Sequence, residues 1–149
     1  MKLNAGSGWK KKDSYINLDL FEECKPDILA DLDKPLPFKD ESFDEILADN
    51  VLEHIDDVRK TMNEFHRVIK PGGMLYIIVP QFPTFGAIAD PTHKHYFIPQ
   101  SFGYFLKEGK SPGIKLWKPY QDRQHFETTK NVSDYGNETL FIHMKLERA

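Results

Sequence analysis

The sequence has one cysteine, little net charge and no long apolar run. Cys24 has no second cysteine to pair with, which excludes an internal disulfide and fits a reducing compartment. The formal net charge of -3 gives little attraction for nucleic acid or an anionic membrane. The longest apolar run, Leu75 to Val79, is far shorter than the about 20 residues that a bilayer span needs.

These absences favour one compact domain in the cytoplasm. The 149 residues suit a single domain, and we assign residues 1–149 to it. The first residues, Met-Lys-Leu-Asn, lack the charged and apolar regions of a signal peptide. We therefore expect a cytoplasmic protein with no nucleic acid partner and no membrane partner.

Hydrophobic patterning predicts a series of strands in the first half of the chain. Five segments have the apolar pattern of strands: Lys2–Ala5, Tyr15–Asp19, Asp27–Leu29, Phe43–Ala48 and Met74–Val79. Residues Asp57–Ile69 instead have apolar side chains at helical spacing, and Pro71-Gly72-Gly73 is expected to end that helix. The order predicts an α/β fold, Rossmann-like, with an open, mostly parallel sheet and helices on its faces.

The second half of the chain has a weaker pattern. We predict a short helix at Pro99–Leu106 and a turn at Lys110–Gly113. Two closing strands are expected at Ile114–Thr128 and Glu138–Leu146, joined by a polar loop at Asn131–Asn137.

Polar residues follow four of the predicted strands. Gly6-Ser7-Gly8 follows the first strand, and Asp19, Asp31 and Asp49-Asn50 follow the next three. The carboxyl ends of parallel strands meet at one sheet edge, where such folds bind ligands. The glycines permit a tight turn, and carboxylates accept hydrogen bonds from ribose hydroxyls or an adenine amine. Each feature alone fits an ordinary turn or strand end, so only their combination predicts a nucleoside site.

Five motifs occur in an order that resembles one enzyme family. They are Leu-Asn-Ala-Gly-Ser-Gly from Leu3, Tyr-Ile-Asn-Leu-Asp-Leu from Tyr15, Leu-Pro-Phe-Lys-Asp-Glu-Ser-Phe-Asp-Glu-Ile from Leu36, Asn-Val-Leu-Glu-His-Ile from Asn50 and Arg-Val-Ile-Lys-Pro-Gly-Gly from Arg67. Together they resemble class I S-adenosylmethionine-dependent methyltransferases, especially small bacterial, archaeal and phage members. The resemblance is dense over residues 2–80, and the later segment Asp-Pro-Thr-His-Lys-His-Tyr-Phe is also similar to that subgroup.

The resemblance implies S-adenosylmethionine as cofactor and S-adenosylhomocysteine as product. Gly6 and Gly8 would lie under the methionine part, Asp19 would hold the ribose hydroxyls and Asp31 would face the adenine amine. Asn50 would pass near the sulfonium. The implied cofactor-binding set is Asn4, Ala5, Gly6, Ser7, Gly8, Asp19, Leu20, Asp31, Leu32, Asp49, Asn50, Val51 and His54.

Two departures from the family pattern affect this expectation. Only Trp9 to Ser14 separate Gly8 from the second strand, whereas a parallel crossover usually needs a dozen or more residues and a helix. The first crossover helix is therefore expected to be missing, with its N-terminal dipole. The usual N-terminal helices are also absent, which leaves one sheet face undercovered and predicts a possible homodimer.

The acceptor side of the site is expected in the loop from Asp90 to Tyr96. His93 and His95 are candidate catalytic bases, because imidazole can exchange protons near neutral pH. The alternative is that these side chains fix the loop through hydrogen bonds. Asp90, His93 and His95 lack a recognised zinc spacing, so no metal site is predicted.

Three functions remain in competition. The leading hypothesis is an enzyme that transfers the methyl group of S-adenosylmethionine to an unidentified small-molecule or saccharide-type acceptor. The alternative is a non-catalytic module that binds S-adenosylmethionine or S-adenosylhomocysteine, or a subunit of a larger methyltransferase assembly. A nicotinamide-dinucleotide domain is disfavoured, because the third glycine is absent and Asp19 follows the glycines too closely.

Overall fold

A computed structural model describes residues 1–105, 118–119, 126–131 and 137–146, with side chains described for 1–105 and 139–146. The strands are β1 (Lys2–Ala5), β2 (Ile16–Asp19), β3 (Ile28–Leu29), β4 (Phe43–Asp49), β5 (Ile69–Pro80), β6 (Lys118–Pro119), β7 (Phe126–Asn131) and β8 (Asn137–Lys145). The α-helices are α1 (Val58–Val68) and α2 (Phe85–Ile88). Short 3₁₀ helices cover Glu22–Cys24, Leu52–His54 and Pro99–Phe105.

The described strands form one sheet in the order β3-β2-β1-β4-β5-β8. Strands β1 to β5 pair in parallel, and β8 closes the sheet antiparallel to β5. Both β6 and β7 pair with the other side of β8. The predicted Rossmann-like, mostly parallel sheet is therefore confirmed.

Helix α1 forms where the apolar spacing predicted it. The Asp57 side chain accepts hydrogen bonds from the backbone amides of Arg59 and Lys60, which caps the amino end. One face of the helix is buried against the sheet. Its buried residues are Thr61, Met62, Phe65 and Val68. This packing, more than intrinsic propensity, stabilises a helix of this length.

The prediction for Pro71-Gly72-Gly73 was wrong in one respect. Helix α1 has already ended at Val68, and β5 begins at Ile69, before this tripeptide. The pairing shifts from Phe43 opposite Ile69 to Glu45 opposite Met74, so the tripeptide lies in a bulge. Gly72 has φ +81°, a conformation that glycine adopts without strain. The bulge lets one strand run through residues that sequence patterns assign to a turn.

The structure of the second half of the chain agrees only in part with the predictions made from the sequence. The helix predicted at Pro99–Leu106 is a 3₁₀ helix over Pro99–Phe105, in which Phe102 stacks on Phe97 with ring centroids 5.3 Å apart. The turn at Lys110–Gly113, the start of the strand at Ile114 and the interior of the 131–137 loop lie outside the described residues. Within the described part of the chain, no helix is long and apolar enough to cross a membrane.

Candidate functional site

The sheet register brings the ends of β1, β2, β3 and β4 to one edge. Ala5 lies opposite both Leu18 and Ala48, and Leu29 lies opposite Asp19. The polar residues that follow these strands therefore lie along one edge of the sheet, as ligand-binding α/β sheets require. The structure therefore has these residues at one sheet edge, as the order of the strands in the sequence predicted.

Residues 6–8, the glycine loop, turn sharply over the end of β2. Gly6 and Gly8 have φ angles of +69° and +48°, and the amides of Gly6 and Ser7 both donate to the Leu18 carbonyl at 2.9 Å. The Gly8 amide donates to Asp19 Oδ2 at 2.7 Å. These bonds fasten the loop to the neighbouring strand and hold its backbone close to the sheet edge.

Asp19 is buried and holds two backbone amides. Its Oδ1 accepts from Phe21 at 3.0 Å while Oδ2 accepts from Gly8, and the residue is 7% exposed. A carboxylate has about four acceptor positions, so two remain for a ligand's hydroxyl groups. Leu20 and Phe21 beside it are exposed, at 54% and 62%. Asp19 thus fastens the glycine loop to the residues that follow β2.

The first crossover contains no helix, as predicted. Residues 9–15 form turns between β1 and β2. The Asn4 amide donates to Lys10 O at 3.1 Å and to Asn17 Oδ1 at 3.0 Å. Asn4 was predicted to bind cofactor, but its side chain instead forms hydrogen bonds within this crossover and to β2. Lys10 reaches back across the edge, with Nζ 3.8 Å from Asp49 Oδ2.

Asp31 and Leu32 follow β3 at the outer side of the same edge. Asp31 Oδ1 accepts from the Asp33 amide at 2.9 Å, and Lys34 Nζ lies 3.7 Å from Asp31 Oδ2. Leu32 is buried, and its carbonyl accepts from the Thr61 hydroxyl at 2.9 Å. Asp31 keeps a partly exposed carboxylate, while Leu32 forms an apolar wall next to it.

The turn after β4 meets the glycine loop. Asn50 has φ +52° and donates its amide to the Ile78 carbonyl at 2.8 Å, while its side chain donates to Asp49 Oδ1 at 2.6 Å. A Cβ on Gly6 would lie 2.7 Å from Val51 Cβ and closer still to Cγ2. The predicted residues Gly6, Asn50 and Val51 are therefore brought together.

Glu53 is a residue of this site that sequence reasoning missed. It lies in the 3₁₀ helix Leu52–His54, is 2% exposed, and burial raises the pKa of its carboxyl to about 7. Its backbone carbonyl accepts from the amides of Lys94 and His95, which docks the loop after α2 onto this helix. The signal was the Leu-Glu-His motif, from which only the histidine was selected.

His54 and His93 lie beside Glu53, whereas His95 does not belong to this group. One nitrogen of His54, one of His93 and one Glu53 carboxylate oxygen lie within 4.8 Å of one another. We call these three residues the Glu–His cluster. His95 instead directs Nε2 to the Ile55 carbonyl at 2.8 Å. This contact fits the loop-fixing alternative for His95.

Two buried side-chain oxygens lack a hydrogen-bond partner in the part of the chain that the structure describes. They are Ser7 Oγ in the glycine loop and Glu53 Oε2 in the Glu–His cluster. Buried polar atoms are almost always paired, so such exceptions commonly mark sites for a ligand, a water or an ion. Both exceptions lie at the same sheet edge.

Comparison with known proteins agrees with this geometry. Residues 13–77 match the family model described as Methyltransferase domain. An S-adenosylmethionine-dependent methyltransferase of Methanosarcina mazei superposes with a TM-score of 0.71 and 16% identity, covering 99% of this chain and 92% of that chain. Over residues 13–77 this chain is therefore similar to the methyltransferase-domain family, and it shares the fold of the Methanosarcina mazei protein.

Two further similar proteins are longer than this chain. The 1,6-didemethyltoxoflavin-N1-methyltransferase of Burkholderia thailandensis, solved with 1,6-didemethyltoxoflavin and S-adenosylhomocysteine bound, has a TM-score of 0.69 and 14% identity over 99% of this chain and 71% of that chain. The demethylmenaquinone methyltransferase of Chlorobaculum tepidum is 39% identical over 75 residues, which are 48% of this chain. The match covers 31% of that relative, so this chain spans about a third of its length.

Proposed function

We propose that this chain binds S-adenosylmethionine over the glycine loop and catalyses transfer of its methyl group to a small-molecule acceptor. One observation carries the proposal. The two unpaired buried oxygens, Ser7 Oγ and Glu53 Oε2, lie at the same sheet edge, one in the glycine loop and the other in the 3₁₀ helix Leu52–His54. The Asn50–Val51 turn precedes this helix and contacts Gly6.

The described contacts support a cofactor orientation along the edge. Asp19 keeps free acceptor positions for the ribose hydroxyls, and Asp31 keeps a partly exposed carboxylate for the adenine amine. Exposed Leu20 and buried Leu32 would flank the adenine ring, which removes apolar surface from water. Ser7 Oγ is available to the methionine part.

The acceptor side is lined by apolar residues in the loops after β5. Phe82 and Tyr96 have ring centroids 5.8 Å apart and are 42% and 51% exposed, and Phe85 is 58% exposed. Aromatic faces of this kind suit a flat or apolar small molecule. The two larger similar proteins, a demethylmenaquinone methyltransferase and a 1,6-didemethyltoxoflavin-N1-methyltransferase, are named for small-molecule acceptors. A saccharide-type acceptor remains the alternative within this class.

Bound S-adenosylmethionine would supply an electrophilic methyl carbon for an in-line displacement. The chain would hold the acceptor so that its oxygen or nitrogen faces that carbon. We assign the Glu–His cluster to the acceptor side of the site, beside such a nucleophile. His93 contributes to this cluster, while His95 fixes the loop that carries His93.

Calorimetry and turnover test the proposal separately. We expect the chain to bind S-adenosylmethionine and S-adenosylhomocysteine but not NAD, because the loop has no third glycine. Incubation with a panel of small-molecule acceptors should then release S-adenosylhomocysteine. Binding of NAD without S-adenosylmethionine would contradict the proposal.

The short first crossover favours a second candidate function. Residues 9–15 form no helix, so no helix N-terminus faces the cofactor's carboxylate. A non-catalytic binding module, or a subunit of a larger methyltransferase assembly, would bind S-adenosylhomocysteine without turning over any acceptor alone. Binding without turnover across the panel would favour this candidate.

A further inference from the structure

We propose that Glu53, His54 and His93 form a binding site for one divalent transition metal ion such as Zn²⁺. One carboxylate oxygen and one nitrogen from each imidazole lie within 4.8 Å of one another. An ion with bonds of about 2.1 Å can bridge such a span after small side-chain rotations. The three side chains come from two segments, so the metal would join the turn after β4 to the loop after α2.

The hydrogen bonds of both histidines leave a lone pair free for a metal. His93 Nδ1 lies 2.8 Å from the Ala87 carbonyl, which can only accept, so Nδ1 carries the proton and Nε2 does not. The Thr92 hydroxyl donates to Asp90 Oδ1 at 2.7 Å, so it can only accept from His54 Nδ1 at 3.2 Å. Ala87 and Thr92 thereby fix the tautomers that metal ligation requires.

Charge around Glu53 also favours a cation. Its carboxyl group is buried, and its Oε2 has no hydrogen-bond partner in the described structure. Asp90 Oδ2 lies 3.7 Å from His93 Nε2. An unpaired buried carboxylate is costly, and a bound cation removes that cost. Lys94, the nearby cation of this loop, is already paired with Asp56.

The ligand types select the class of metal. Two imidazoles and one carboxylate suit zinc and its neighbours, whereas Ca²⁺ and Mg²⁺ prefer oxygen ligands alone. Three protein ligands leave a coordination position open for an oxygen of the acceptor. In this further step, which rests on the proposed function, a hydroxyl group of the acceptor occupies that position and loses its proton to water. Its oxygen bonds to the methyl carbon as the carbon–sulfur bond breaks and sulfur takes the electron pair.

Metal binding can be tested without knowing the acceptor. Protein freed of metal with a chelator is titrated with Zn²⁺ by calorimetry and with Co²⁺ by visible absorption, on a Cys24→Ser background that removes the lone thiol. We expect one equivalent per chain and a cobalt spectrum of low-symmetry coordination. Glu53→Gln and His93→Gln should each weaken Zn²⁺ binding by about tenfold or more. The matched control is His66→Gln, which removes an imidazole on α1, outside the cluster, and should keep the affinity.

The outcomes separate this inference from the proposed function. Failure of the folded wild-type chain to bind Zn²⁺ or Co²⁺ overturns the metal site, even if S-adenosylmethionine binds. Equal affinity of the Glu53→Gln, His93→Gln and wild-type chains also overturns it, because the ion would then lie elsewhere. Stoichiometric binding lost in both variants and kept in His66→Gln supports the site, whether or not S-adenosylmethionine binds.

Discussion

Gly6 lies directly against the side chain of Val51. A Cβ at position 6 would be 2.7 Å from Val51 Cβ, and the backbone there has φ +69°. Two conditions therefore require glycine at this position: a left-handed backbone and a neighbour too close for any side chain. The contact joins the glycine loop to the turn after β4, so the two parts of the proposed cofactor site depend on each other.

Substitution Gly6→Ala should destabilise the fold and abolish cofactor binding. The left-handed backbone costs about 1–2 kcal/mol and the overlap with Val51 about 1–3 kcal/mol, so we expect a loss of about 2–5 kcal/mol. Urea unfolding and calorimetry with S-adenosylhomocysteine measure the two effects. The double variant Gly6→Ala with Val51→Ala should recover the part that comes from overlap.

Gly8→Ala is the matched control for this prediction. Gly8 also has positive φ, +48°, but a Cβ there would meet no atom within 4 Å. Only the backbone term of about 1–2 kcal/mol should remain. Equal destabilisation by the two substitutions would show that contact with Val51 contributes nothing.

Substitution Asp19→Ala should weaken both the fold and the binding of cofactor by the chains that remain folded. The variant leaves the amides of Gly8 and Phe21 without their acceptor, at a cost of about 1–3 kcal/mol each where they stay buried. It also removes two charged hydrogen bonds to ribose, each worth about 1.5–3 kcal/mol, so affinity should fall about a hundredfold or more. Calorimetry with S-adenosylhomocysteine under folded conditions measures this.

The control for Asp19 is a carboxylate at the opposite edge of the sheet. Asp44 lies near the start of β4 and pairs with Lys70. Asp44→Ala should lower stability without changing affinity for S-adenosylhomocysteine. If Asp19→Ala binds as tightly as the wild type while folded, Asp19 does not hold the ribose.

Local patterns were sufficient to predict most of the fold. The apolar spacing of Met62 and Phe65 and the Asp57 cap are local features, and α1 begins within one residue of the prediction. The carboxyl-edge residues followed from the parallel order of the strands alone. In contrast, the bulge at Gly72 depends on pairing with β4, which no local pattern reveals.

The acceptor side could not be derived in the same way. A glutamate is normally exposed, whereas Glu53 is buried and the loop after α2 docks on its backbone carbonyl. Likewise, the spacing of His93 and His95 does not show which one faces inward. That choice depends on the carbonyls of Ala87 and Ile55, which accept from one imidazole each.

Arg67 should stabilise the loop before β4 in a way that lysine cannot replace. Its guanidinium donates to the Leu36 and Phe38 carbonyls and to the carboxylates of Glu64 and Asp40. Lysine has a single ammonium group and cannot satisfy this planar set. We expect Arg67→Lys to lower the free energy of unfolding by about 1–3 kcal/mol, measured by urea denaturation.

Arg59→Lys is the comparison for that measurement. Arg59 is on the same helix, but its side chain is 68% exposed, and its Nε lies 3.8 Å from Asp57 Oδ1. An exposed pair contributes little, so this substitution should change stability by less than about 0.5 kcal/mol. Similar losses in both variants would mean that the Arg67 contacts are energetically unimportant.

The carboxyl group of Asp44 should make the free energy of unfolding depend on pH in the acidic range. Hydrogen bonds from Lys70 and from the N-terminal amine lower the pKa of its carboxyl to about 2, whereas an unfolded aspartate has a pKa of about 3.9. The folded state therefore binds fewer protons between these values, and the stabilisation present above about pH 4 is lost as the pH falls towards 2. In Asp44→Asn this contribution is absent at every pH.

The stability difference between wild type and Asp44→Asn is the quantity to follow. Urea unfolding at neutral pH and at steps between about pH 4 and pH 2 should show the difference shrinking as the carboxyl of the wild type becomes protonated. Asp13→Asn, an exposed carboxylate in the first crossover, controls for the loss of one surface charge. A difference that stays constant down to about pH 2 would mean that Lys70 and the N-terminal amine do not hold the Asp44 carboxylate in the folded state.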